Sequence, residues 1–170
     1  IMVGTGRGAR AGVLVKNAEA LQAMDSIDTL VIDKTGTLPE GRPRVVAVRT
    51  AEPGSEDMLL AMAAAVEGLS EHPLARAIVT EAEARNLDIA PAKDFASQTG
   101  IGVTAQVAGK AVAIGSEAQM DSVGADAGAF SAEAAELRAQ GAGVMLVAID
   151  GMFAGFIAVA DPVRPAASEA

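Results

Sequence analysis

The sequence predicts an α+β block that is inserted after a strand typical of α/β folds, and three observations lead to this prediction. A compact, β-branched run at residues 27–32 ends in Asp33, which suits a buried parallel strand. Strand-like segments and hairpin turns alternate with Ala-rich helical segments over residues 41–160. The pair Asp161 and Pro162 then ends the last strand and leads into a new helical segment.

The individual elements follow from apolar periodicity and from turn residues. Residues 1–10 are rich in Gly and Arg and are interpreted as a linker, and the spacing over 11–24 indicates a short amphipathic helix. Strands are predicted at 45–50, 95–108 (interrupted at 99–102), 111–114, 143–149 and 152–160, with turns at 109–110 and 150–151. Helices are predicted at 55–67, 73–86 and 131–140, with Ser55 and Ser131 as N-caps. Met58 and Met62 lie one helical turn apart and are expected in the core.

Composition excludes several classes of function. The 170 residues include 13 Lys+Arg against 22 Asp+Glu, a net charge of -9, so nucleic acid is not expected as a partner. The absence of Cys excludes disulfides, thiolate metal sites and cysteine catalysis from this chain. A single His excludes a multi-His metal site. The apolar runs fall far short of the ~18 residues that span a bilayer, and the two ends of the chain suggest a piece of a longer protein.

The sharpest motif is residues 33–38, with the sequence DKTGTL. A carboxylate at the carboxyl end of a buried strand lies where α/β folds place reactive groups, and Asp33 can act as a nucleophile that forms an aspartyl-phosphate. Gly36 lets the backbone approach a phosphate, to which Thr35 and Thr37 supply hydroxyls and amides. By residue type alone the segment could equally be a strand that ends in an Asx turn. The complete string is much more specific than that alternative.

The string resembles the phosphorylation signature of the P-type ATPases. The resemblance implies that Asp33 is phosphorylated and that Lys34, Thr35 and Thr37 belong to the catalytic loop. Haloacid dehalogenase-like phosphatases usually carry a second Asp, the general acid/base, at the position of Thr35. Because Thr cannot activate water as a carboxylate does, the phosphoenzyme is expected to persist, which suits a pump. Pro39 departs from the family pattern, which usually has Thr there.

A second motif, SEHPLA at residues 70–75, has Glu67 just before it. A lone His beside a Pro is ordinarily a surface residue. The string is similar, however, to the Ser-Glu-His-Pro motif of the metal-transporting P-type ATPases. That resemblance implies that His72 packs near the adenine of ATP and that Glu67 hydrogen-bonds the adenine edge.

Two glycine motifs and one junction extend the resemblance. Gly100 and Gly102 correspond to a Gly-x-Gly that lets the backbone pass close to the nucleotide. Gly115 and Ser116 resemble a family Gly-Asn pair, in which Ser replaces Asn. Asp161, followed by Arg164, matches the hinge where the family chain re-enters its phosphorylation domain. Taken alone, each is an ordinary turn or strand end.

The resemblance implies a nucleotide-binding domain at residues 41–160, an antiparallel sheet flanked by helices. It is inserted in a partial, truncated α/β haloacid dehalogenase-like phosphorylation domain at 1–40 and 161–170. We therefore expect the cytoplasmic ATP-binding region of an integral membrane pump that binds ATP or ADP, with Mg²⁺ held in part by Asp33 and Thr35. Its partners would be the membrane helices and actuator domain of the same polypeptide.

Cu(I) is the expected transported ion, and zinc, cadmium or cobalt is the alternative. The chain offers no Cys-Pro-Cys and no Met/His cluster, so we expect no site for the transported metal in it. Two other classes remain open. A free-standing haloacid dehalogenase-like phosphatase would turn over a small phosphate ester, whereas a non-catalytic binding module would bind nucleotide without becoming phosphorylated.

Overall fold

The computed structural model describes residues 2–10, 12, 17, 19, 26–29 and 42–161. The chain divides into two compact units, Ile1–Thr37 and Leu38–Ala170. In the first unit, helix α1 spans Met2–Arg10, so the segment that was interpreted as a linker is helical. Glycine lowers helix propensity by only about 1 kcal/mol per residue, and Arg7 and Arg10 in the last turn complement the helix dipole.

In the rest of the first unit, the structure differs in part from the strand that was predicted from residue 27. Residues 27–29 are irregular and Ile27 is 53% exposed, whereas the sequence predicted a buried strand from residue 27. A parallel strand forms only where neighbouring strands pair with it, which β-branched composition cannot establish. Of the helix predicted at 11–24, Gly12 lies in a turn and Glu19 is helical. The other residues of both predictions lie outside the described residues, apart from Asn17, which is irregular.

The second unit is built on a six-stranded sheet with the order β1-β6-β5-β4-β3-β2. All neighbouring strands are antiparallel, as predicted. The strands are β1 (Arg44–Thr50), β2 (Ala92–Gln98), β3 (Gly102–Val107), β4 (Lys110–Gly115), β5 (Gly143–Ile149) and β6 (Met152–Ala160). The helices are α2 (Glu56–Glu67), α3 (Ala75–Ala84), α4 (Glu117–Val123) and α5 (Ser131–Ala139), with a 3-10 turn at Gly128–Phe130.

Helices cover both faces of this sheet because successive strand residues point to opposite sides. On one face, α2 and α3 bury Leu60 and Ile78 against Val112 of β4 and its neighbours. On the other face, α4 and α5 pack over Leu146 and Phe156. Each face therefore has its own apolar core, and the sheet separates the two helical layers.

Several local details differ from the sequence prediction. Helix α4 was not predicted at all, and Met58 is 45% exposed, so its assignment to the core is wrong. Ser55 occupies the N-cap position of α2, but its hydroxyl donates to the carbonyl of Glu52 at 2.6 Å instead of capping the helix. Ser131 lies inside α5 and its hydroxyl donates to the Gly128 carbonyl, because the 3-10 turn continues directly into the helix.

Candidate functional site

A cleft of about 1020 Å³ opens at one end of the sheet. Its walls are the segment after α2, the turn between β2 and β3, the junction of β4 with α4, and the start of β5. All six residues that were predicted to bind nucleotide line this one cleft: Glu67, His72, Gly100, Gly102, Gly115 and Ser116. Such a volume accommodates a ligand of nucleotide size.

The least expected group in the cleft is the carboxyl of Glu67, the last residue of α2. The residue is only 5% exposed, and its Oε2 atom has no hydrogen-bond partner within the structure. Burial raises the pKa of Glu67, whereas a hydrogen bond with the side chain of Ser70 and the nearby His72 act to lower it. An unpaired buried polar atom destabilises a fold, so folding does not explain this carboxyl.

Ser70 joins Glu67 to His72 within the same short segment. The Ser70 Oγ accepts the His72 backbone N–H at 3.2 Å, and the Ser70 side chain acts to lower the pKa of Glu67. The Nδ1 atom of His72 accepts the Leu74 backbone N–H at 3.2 Å, and the ring is exposed. A neutral His72 that accepts at Nδ1 carries its proton on Nε2, which leaves Nε2 as a donor for a ligand.

Gly102 and Gly115 face each other across β3 and β4. A Cβ atom at Gly102 would lie 2.9 Å from the Cα of Gly115 and would overlap the Ile114 carbonyl. A Cβ at Gly115 would lie 2.7 Å from the Gly102 Cα, and Gln119 of α4 lies 3.0 Å from either position. The close approach of the two strands therefore requires glycine at both positions.

Gly100 and Ser116 complete the glycine side of the cleft for different reasons. Gly100 has φ of 75° with open space around its missing Cβ, so its turn conformation favours glycine. The Ser116 N–H and hydroxyl both donate to the Ile101 carbonyl, at 2.8 and 3.0 Å. Both donors of Ser116 are thus used to hold the cleft wall together.

Among the further residues that line the cleft, Ser70, Phe95 and Arg138 bear on its chemistry and were not predicted as site residues. Ser70 could have been predicted from the sequence because it is the first residue of the SEHPLA motif. Phe95 comes from β2 and Arg138 from the last turn of α5. Neither lies in a recognisable motif, and only the folding of the chain brings them to this end of the sheet.

The predicted catalytic residues Asp33, Lys34, Thr35 and Thr37 lie outside the described residues, as does the predicted hinge residue Arg164. The other hinge residue is described, and the Asp161 Oδ1 accepts the backbone N–H of Arg42 at 3.2 Å. This bond ties the entry of the sheet domain to its exit. In the described part of the chain no group of three His, Cys, Asp or Glu residues could hold a metal ion. Among the same residues, no helix is long and apolar enough to cross a membrane.

The site and the sheet together define an α+β domain with a partly acidic cleft. The family of haloacid dehalogenase-like hydrolases matches residues 27–170. A copper-exporting P-type ATPase of Legionella pneumophila subsp. pneumophila is 47% identical over 169 residues, which is 99% of this chain and 23% of that protein.

Two solved structures extend the comparison. The crystal structure of a zinc-transporting PIB-type ATPase superposes with a TM-score of 0.83 at 38% identity, over 99% of this chain and 27% of that one. The N-domain of HMA6, a copper-transporting P-type ATPase, has a TM-score of 0.59 at 32% identity, over 69% of this chain and 98% of that domain. The chain therefore belongs to the haloacid dehalogenase-like hydrolases and, among them, to the heavy-metal P-type ATPases. It spans about a fifth of the length of the curated relatives it matches.

Proposed function

We propose that this chain is the ATP-binding region of a P-type ATPase that exports a heavy-metal ion. The nucleotide-binding domain comprises residues 41–160, flanked by parts of the phosphorylation domain at 1–40 and 161–170. In the complete protein, ATP hydrolysis through an aspartyl-phosphate at Asp33 drives the transport step. The complete protein would be a membrane pump, with this region on the cytoplasmic side and with membrane helices and an actuator domain elsewhere in the polypeptide.

The observation that carries the proposal is the buried carboxyl of Glu67, a residue of the cleft lining whose Oε2 atom is unpartnered. A carboxylate oxygen accepts hydrogen bonds, and the amino group on an adenine edge donates them. The binding of a base would satisfy the oxygen that folding leaves without a partner. Nucleotide binding would thereby offset the loss of stability that the unpartnered Glu67 oxygen causes in the free domain.

The other cleft residues suit the remaining parts of a nucleotide. The exposed His72 ring and the Phe95 side chain supply flat surfaces against which a base can pack. At Gly100, Gly102 and Gly115 the cleft wall is main chain, and the facing strand and Gln119 fill the positions that the Cβ atoms of Gly102 and Gly115 would take. Ser116 lines the wall, where its two donors are held by Ile101.

Phosphoryl transfer is proposed to take place at Asp33, which attacks the γ-phosphate in line once the domains close, so that the bond to the bridging oxygen breaks and ADP leaves. Lys34, Thr35 and Thr37 surround the phosphate in this proposal, and Asp161 and Arg164 form the hinge. Asp33 and the main-chain carbonyl of Thr35 are oxygen ligands of the kind that Mg²⁺ prefers. They supply part of its site, and bound Mg²⁺ would offset the charge on the phosphates.

Cu(I) is proposed as the exported ion because the relatives named as copper-exporting or copper-transporting match this chain at 38–47% identity. A protein named as a silver exporter matches at 45%, and the zinc-transporting structure superposes well. Zinc, cadmium or cobalt is therefore the alternative cargo. Since no metal ligand cluster occurs among the described residues, the choice depends on other parts of the pump.

Titration with ATP, followed by backbone-amide NMR, tests the nucleotide site directly. We expect shifts centred on Glu67, His72, Gly100 and Gly102, with affinity at least fivefold weaker in His72→Ala. Lys93→Ala is the matched control, because Lys93 is exposed and lies outside the cleft. Saturating ATP without shifts at these residues would overturn the assignment.

A second measurement separates the pump from a free-standing phosphatase. We expect this chain to bind ATP and ADP but to hydrolyse p-nitrophenyl phosphate no faster than its Asp33→Asn variant does. Turnover that depends on Asp33 would instead favour a haloacid dehalogenase-like phosphatase. Phosphate incorporation at Asp33 is then expected only when the missing parts of the phosphorylation domain are joined to this chain.

A further inference from the structure

The charges around the cleft are an unfavourable setting for an anion. Its lining contains three carboxyl groups, those of Glu67, Glu71 and Glu117. Within this lining, all of it in the described part of the chain, Arg138 is the single Lys or Arg side chain. The chain as a whole carries a net charge of -9. A nucleoside triphosphate therefore meets one cationic side chain in the cleft and a repulsive background.

The position of Arg138 separates it from the acidic Glu67. Glu67 ends α2 on one face of the sheet, whereas Arg138 lies in the last turn of α5, which packs on the other face. Both side chains reach the same cleft at the sheet end. A ligand whose base contacts Glu67 can therefore extend its phosphate groups toward Arg138, which comes from the other face of the sheet.

The present partner of Arg138 can be exchanged. Its Nη1 donates to the Glu117 Oε1 at 3.1 Å, in an ion pair whose side chains are 36% and 69% exposed. Exposed ion pairs contribute little to stability because water competes for both charges. A guanidinium has five N–H donors in a planar fork that matches phosphate oxygens in bidentate geometry, so phosphate is the stronger partner.

We propose that Arg138 is the phosphate-binding residue of the cleft and exchanges its ion pair with Glu117 for the phosphate oxygens of a nucleoside di- or triphosphate. This inference rests on the proposed nucleotide site. It adds Arg138 to that site and distinguishes phosphorylated nucleotides from adenosine. Arg138 then selects for the phosphate groups, while Glu67 and His72 contact the base. Glu117 holds the free guanidinium in place and competes with the nucleotide.

Calorimetric titrations of the 170-residue chain with ATP, ADP and adenosine test the inference, with EDTA present so that no metal cation competes for the phosphates. For Arg138→Gln we expect ATP and ADP to bind about fivefold to tenfold more weakly, with adenosine affinity within twofold of wild type. Arg85→Gln is the matched control. Arg85 is 35% exposed and also ion-paired, but it is the C-cap residue of α3 and lies outside the cleft.

Glu117→Gln provides a readout that a purely structural role for Arg138 would not produce. Removal of the competing carboxylate should strengthen ATP binding about twofold to threefold and leave adenosine binding unchanged. If wild type binds ATP and Arg138→Gln binds it equally well, the role of Arg138 is overturned and the nucleotide site stands. If wild type binds neither ATP nor adenosine, the nucleotide site fails and the inference fails with it.

Discussion

In the proposed site the two walls of the cleft contact the same nucleotide, but they differ in what folding requires of them. On the glycine wall, Gly102 and Gly115 are demanded by the approach of β3 to β4. On the opposite wall, Glu67 buries a carboxyl with an unpartnered oxygen, which opposes folding. A residue that the fold needs is weak evidence for a ligand, whereas a residue that the fold tolerates at a loss of stability is strong evidence. The walls should therefore respond to substitution with opposite signs of stability.

The largest effect is expected on the glycine wall. Gly115→Ala places a methyl group against the Ile101 carbonyl and the Cα of Gly102, so the strands must move apart. We expect a loss of about 3 kcal/mol or more in the free energy of unfolding, measured by urea denaturation. Gly109→Ala is a useful control because Gly109 has open space around it, so only its turn conformation is strained. A loss at Gly115 no larger than the loss at Gly109 would contradict the close-approach explanation.

On the opposite wall, Glu67→Gln should weaken binding without harming the fold. The amide keeps the shape of the side chain but offers the base one acceptor oxygen and no charge. We expect ATP and adenosine to bind about tenfold more weakly, since a charge-assisted hydrogen bond is replaced. At neutral pH the free energy of unfolding should rise by about 1 kcal/mol, because no charge is buried. A large fall in stability together with lost binding would refute the contrast between the walls.

The pH dependence of stability should identify the same carboxyl. Burial raises the pKa of Glu67 above its ordinary value of 4.5, so the folded state holds a proton that the unfolded state has released. The stability that this proton contributes is fully present below pH 4.5 and is lost as pH rises through the folded pKa. We therefore expect the stability of Glu67→Gln relative to wild type to increase as the pH rises from 4.5 through the folded pKa of Glu67. Denaturation at a series of pH values measures this, and parallel curves for the two proteins would exclude it.

Local sequence signals predict part of the fold and of the site, whereas features that depend on tertiary packing could not be predicted. Alternating strands and the turns predicted at 109–110 and 150–151 indicated most of the antiparallel sheet, because those signals are local, although the first turn lies one residue earlier, at 108–109. Helix α4 was missed because it is seven residues long and follows a glycine motif that was interpreted only as a ligand contact. The six predicted cleft residues could be found because they lie in short motifs. Phe95 and Arg138 could not, since their place in the cleft depends on sheet order and on the docking of α5.

A smaller effect is expected for Gly100, whose requirement for glycine comes from its backbone and not from crowding. Gly100→Ala must hold a φ of 75°, which costs an L-residue about 1 kcal/mol. Because space is open there, the cleft should keep its shape and ATP affinity should fall by less than about threefold. Thermal unfolding and ATP titration of the same sample provide both values. A large loss of affinity with unchanged stability would show that the ligand contacts the missing Cβ position itself.

The smallest effect should come from Ser116, the position that resembles a family Gly-Asn pair. Its hydroxyl donates a hydrogen bond to the Ile101 carbonyl, and the Ser116 backbone N–H donates to the same oxygen. Ser116→Ala therefore leaves Ile101 with one of its two donors and should lower the free energy of unfolding by about 0.5–1 kcal/mol. ATP affinity should change by less than about twofold, because no donor aimed at the ligand is lost. A tenfold loss of ATP affinity in this variant would mean that the hydroxyl leaves Ile101 when nucleotide binds, which would move Ser116 from the supporting wall to the ligand-contacting residues.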